Sequence, residues 1–134
     1  MGRTAVAIVA TLLSMGVLDA IWLTTMTTRL YRRQLSSLLL ETPSWAPALA
    51  FYLLYAVGVV VLVVRPALEG EWPLGRVVAV GALLGLVAYG TYDLTNQATV
   101  RGWSTVVTAV DMAWGASLTA VVAAIAVAAA RRFT

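Results

Sequence analysis

The chain has 134 residues, 61% hydrophobic and only 11% charged, with a formal net charge of +3, whereas a soluble domain is about 25% charged; a water-soluble globular protein is excluded. Its nine basic residues are all arginines set at the ends of apolar runs, which anchors spans rather than grips phosphates, so no nucleic-acid partner is expected. Without His, Cys or Lys, ordinary haem, iron–sulfur and zinc ligation, His-based nucleophile systems and Schiff-base lysines are out of reach. No cofactor or metal is therefore expected, and the chemistry left is that of Asp, Tyr, Trp, Asn, Thr and Arg.

This length suits a single all-α domain, residues 1–134, of four membrane-spanning helices of roughly 20 residues each with short connections. The first span is expected over about 4–26. It follows Arg3, carries Asp19 inside the run and lacks a small-x-small cleavage site before a polar start, so it reads as a retained span rather than a signal peptide. The segment Arg29 to Leu40 then sets Tyr31, Leu35, Leu38 and Leu39 against Arg29, Arg32, Arg33 and Ser36. That pattern predicts an interfacial amphipathic helix, with a plain extension of the first span as the alternative. Thr42-Pro43-Ser44-Trp45 offers a cap, a proline start and an aromatic anchor for the second span, about 46–64, which carries Tyr52 and Tyr55 and stops at Arg65-Pro66. A polar turn with Glu69, Gly70, Glu71, Trp72 and Pro73 precedes the third span, about 76–98, where Gly81 and Gly85 form a small-x-x-x-small pattern read as packing. The fourth span, about 104–130, is mostly Ala and Val in its second half, which reads as membrane filler, and ends at Arg131-Arg132.

The polar residues gather at one depth. Tyr89, Tyr92, Asp93 and Asn96 share one face of the third span, and that face must look at protein or water rather than lipid. With four spans, the loops near residues 27–45 and 99–103 lie on one side of the membrane. Counting about 1.5 Å per residue from that side sets Asp19, Asp93 and Asp111 in a single layer. Trp22, Tyr52, Tyr55 and Thr108 fall at the same depth, with Trp114 a turn deeper. The spacing Asp19-x-x-Trp22 and Asp111-x-x-Trp114 puts each indole on the helix face of its acid, either to satisfy a carboxylate or to wall a ligand. Each acid costs about 2.5–3.5 kcal/mol to insert if charged, with no Lys or His to pair with it. Two readings stand: a hydrogen-bonded network that holds four helices together, or a ligand or proton site of Asp93, Asp19, Asp111, Tyr89, Tyr92, Asn96, Trp22, Trp114 and Tyr55. Asp93 is expected at its centre and largely protonated while the site is empty.

The blocks V-L-D-A-I-W-L, L-Y-R-R-Q-L, F-Y-L-L-Y-A-V-G, Y-G-T-Y-D-L-T-N-Q-A-T-V-R-G-W and V-V-D-M-A-W-G-A together resemble a family of small bacterial membrane proteins built on a domain of unknown function. The resemblance covers nearly the whole chain and implies a four-span, multi-pass protein of the bacterial inner membrane. No activity comes with it.

Three functions compete on the residues alone. Acids and tyrosines can handle the polar head of a small lipid-like molecule while Trp22, Trp114 and the spans hold its tail, for binding or for catalysis by a carboxylic acid. The same acids can serve proton-coupled small-molecule transport by a homo-oligomer. The polar layer can also simply stabilise an accessory subunit of a larger membrane complex. Membrane lipids are expected neighbours in every case. The arginines divide five to four between the two sides, so the charge rule barely chooses an orientation; the Arg131-Arg132 end weakly favours cytoplasmic termini.

Overall fold

The structure, a computed structural model, describes residues 2–39 and 44–134. Four long helices account for nearly all of them, and no strand occurs among the described residues. We number these α1 (Gly2–Leu35), α2 (Trp45–Glu69), α3 (Leu74–Thr99) and α4 (Thr105–Phe133); each is long and apolar enough to cross a membrane. The arrangement is the expected all-α membrane four-helix bundle.

Alternate helices run in opposite directions, so both termini share one end. There Gly2 lies beside Thr134, and the Arg131 guanidinium donates to Trp72 O at 2.7 Å, tying α4 to the α2–α3 turn. At the opposite end Ser104 Oγ donates to Gln34 Oε1 at 2.8 Å and accepts from Val107 N at 3.2 Å. One serine thereby caps α4 and fastens it to α1.

The two ends are packed differently. Towards the termini, Val59, Val63, Val64, Leu118, Val122 and Val127 are buried together with Ala67, Ala123, Ala126 and Ala130. The Ala and Val half of α4, expected as filler, is thus the core of the bundle: small side chains let backbones approach where no hydrophobic force drives helices together. Gly85 lies against the Gly115 carbonyl and Gly81 against Thr119 and Ala120, so the glycine pattern of α3 seats it on α4. Towards the other end the first turns of α2, from Trp45 to Phe51, stay exposed and a gap separates α2 from α1.

Two helices widen by one residue. In α1, Thr27–Tyr31 forms a π turn in which Arg32 N–H bonds Thr27 O. In α2, Val60–Val64 does the same, with Arg65 N–H on Val60 O, immediately before Pro66, which has no N–H to give and whose ring crowds the preceding turn. The basic segment expected as a separate interfacial helix is continuous with α1 as far as Leu35, through the π turn; Leu40, Thr42 and Pro43 lie outside the described residues. Of its apolar stripe Leu35 is buried, with Leu30, against Val107, whereas Leu38 and Leu39 lie past the end of the helix at Leu35 and remain exposed. At about 1.5 Å per residue the 34 residues of α1 span about 50 Å against about 30 Å of hydrocarbon. Arg29, Arg32 and Arg33 stay exposed near its end.

Candidate functional site

The acids of the polar layer are joined across helices rather than along them. Cβ atoms tilt towards a helix's N-terminus, so side chains on antiparallel α1 and α4 lean in opposite directions. Trp22 therefore drops away from the loop end while Trp114 rises towards it. The two indoles meet at one level, stacked with centroids 4.3 Å apart and planes 7° from parallel. Trp114 does not sit a turn deeper, as a count of Cα positions alone implies. Each indole also serves the acid of the other helix: Trp114 Nε1 donates to Asp19 Oδ1 at 3.3 Å, and Trp22 Nε1 donates to the Tyr31 hydroxyl at 2.8 Å, which donates to Asp111 Oδ1. An indole can only donate, so Trp22 commits the Tyr31 proton to Asp111. The π turn is what brings Tyr31 round to make this link.

Asp93 is different. It is 0% exposed, and neither carboxyl oxygen has a donor among the described residues; what faces it is the carboxyl of Asp111. Two carboxylates offer only acceptors, so a hydrogen bond between them needs a proton on one. Its backbone carbonyl is approached by Thr108 Oγ1 at 3.4 Å, and that hydroxyl accepts from Trp103 Nε1 at 3.1 Å.

Between α1, α2 and α4 lies a cavity of about 730 Å³. Asp19 and Asp111, both half-buried, stand in its wall with Trp22, Trp114, Tyr55, Tyr89 and Tyr92. Tyr55 bonds Thr119 Oγ1 at 2.6 Å and sets its ring edge-on to Tyr89, centroids 6.2 Å apart. Tyr89 in turn lies on Gly115, whose missing side chain makes room for it. Tyr92 is 57% exposed and meets Trp103 edge-on at 5.6 Å. Two expected site residues fall outside the lining: Asp93 is sealed behind Asp111, and Asn96 sits near the end of α3, its carbonyl capping Val100.

The lining also holds residues that were not among those expected, Tyr31, Arg32, Tyr52 and Trp103 among them. The Tyr52 hydroxyl reaches the Leu12 carbonyl over Gly16. Tyr31 carried one usable signal, a hydroxyl within an otherwise leucine stripe.

A family described as "Predicted membrane protein (DUF2177)" matches residues 4–128 of the chain. The chain belongs to this DUF2177 family. Its blocks around Asp19, Asp93 and Asp111, on which the resemblance rested, all fall inside the matched residues. No curated protein and no solved structure matches the chain.

Proposed function

We propose that this membrane protein, a multi-pass protein of the bacterial inner membrane, is a binding or catalytic site for a small lipid-like molecule. The molecule's head meets the Asp/Tyr/Trp layer within one leaflet and its tail lies along the apolar spans. The observation that carries this reading is the cavity of about 730 Å³, of the size usual for ligand sites at ~300–1,000 Å³, with two half-buried carboxyls in a mostly apolar and aromatic wall. A network serving only to hold helices together has no need of such a void. The cavity reaches the membrane side through exposed residues of both bordering helices, Ala20 and Leu23 on α1 and Trp45, Ala48 and Leu49 on α2, so a lipid-like molecule can enter sideways. A second reading, proton-coupled transport by a homo-oligomer, draws support from the sealed Asp93 facing Asp111, a pair suited to holding one proton near a substrate.

Mass spectrometry of the protein extracted from membranes tests the first reading. An apolar small molecule should co-purify with the parent chain and be lost from Ala20→Trp and Ala48→Trp, which fill the cavity from exposed positions that tolerate bulk. Equal retention by parent and filled variants sinks the proposal.

A further inference from the structure

We infer that the head group this cavity selects is a cation, an alkylammonium on an apolar tail; the inference rests on the lipid-site reading above and adds the charge of the ligand. Four strong donors of the lining are already spent within the protein: Trp114 N–H on Asp19, Trp22 N–H on Tyr31, the Tyr31 hydroxyl on Asp111 and the Tyr52 hydroxyl on Leu12 O. Beside the hydroxyls of Tyr89 and Tyr92, what the inner wall offers is the acceptor capacity of its acids. Asp19 and Asp111 each use one oxygen in these bonds, and a carboxylate accepts at about four sites.

A head that brings only acceptors, such as a carboxylate or phosphate, finds two acids and few donors. A head that brings positive charge finds two acids and a set of aromatic rings. With their N–H groups taken, the stacked indoles present only ring surface, and Trp and Tyr rings attract ammonium groups within about 6 Å of their centroids. Among the described residues the one basic member of the lining is Arg32. It is exposed and follows the π turn near the outer end of α1, so it marks the mouth and does not neutralise the inner wall. Asp93, sealed behind Asp111 with no donor among the described residues, lies outside this wall and leaves Asp19 and Asp111 as the acids that meet the head.

Probes sharing one dodecyl tail separate charge from greasiness. The protein in uncharged decyl maltoside micelles is titrated with dodecyltrimethylammonium, dodecanol or dodecanoate while its indole emission is followed. In the parent, the ammonium probe should saturate at roughly tenfold lower concentration than the other two. Asp19→Asn and Asp111→Asn, which keep shape, should each shrink that preference. Saturable binding of all three probes alike, or of dodecanoate first, overturns the cation inference and leaves the lipid site standing. No saturable response to any probe overturns both. A preference that survives in both Asn variants removes the acids from recognition. Should a variant fail to fold, the ranking of probes on the parent chain decides alone.

Discussion

Tyr31 shows how few atoms hold this site together. Its hydroxyl accepts from the Trp22 N–H and donates to Asp111, so Tyr31→Phe leaves one donor and one acceptor without these partners. The expected loss is about 1–3 kcal/mol of stability, seen as a lower melting temperature, whereas a change confined to the membrane surface would leave melting in place. Asp93 should behave in the opposite way. An amide at that position brings the donor that the facing carboxyls lack, so Asp93→Asn should fold at least as well as the parent and lose ligand retention. Asp19→Ala and Asp111→Ala instead strand the Trp114 N–H and the Tyr31 hydroxyl and should lower melting. Parallel melting curves and extracts of the three variants give the answer: an Asp93→Asn protein that keeps its ligand makes Asp93 architectural. The three acids could be read from the sequence because depth in a span is a count of residues. The crossed pairing of indoles and acids could not, because it depends on which way side chains lean on antiparallel helices.

Among the elements, the α3–α4 pair is set by glycine. A methyl at Gly85 would meet the Gly115 backbone, and one at Gly115 would meet the Tyr89 ring. Gly85→Ala or Gly115→Ala should therefore cost about 1–3 kcal/mol, and Gly115→Ala should also disturb the cavity wall through Tyr89; Gly75→Ala, with open space around it, is the control in the same melting assay. The small-x-x-x-small spacing announced this contact, though not the partner it would find. The end of α1 was legible in composition and not in extent: its arginines lie outside and Leu35 inside, as the stripe implies, while the helix stops at Leu35 and leaves Leu38 exposed. We expect Arg29→Gln, Arg32→Gln and Arg33→Gln together to weaken association with anionic lipid by about 1 kcal/mol per arginine, as measured by lipid retained after delipidation. Unchanged retention would make the segment a connector.

At the scale of the whole molecule, four crossings put Gly2 beside Thr134, and the count is open to a direct check. Reporters fused at either terminus should give the same sidedness, with both cytoplasmic on the arginine balance; opposite sidedness would require an odd number of crossings. The fold class followed from hydropathy because hydrocarbon admits so few backbone solutions. The unequal packing of the two ends did not, since it arises where α2 stands away from α1. That gap has a thermodynamic consequence. A void facing the bilayer is filled by the solvent of this protein, which is acyl chain, so any ligand's tail exchanges one hydrocarbon contact for another and gains almost nothing. Affinity then resides almost wholly in the head, and the meaningful concentration is the ligand's mole fraction among lipids: a thinner or more fluid bilayer, competing differently for the same slot, resets occupancy without a single residue being changed.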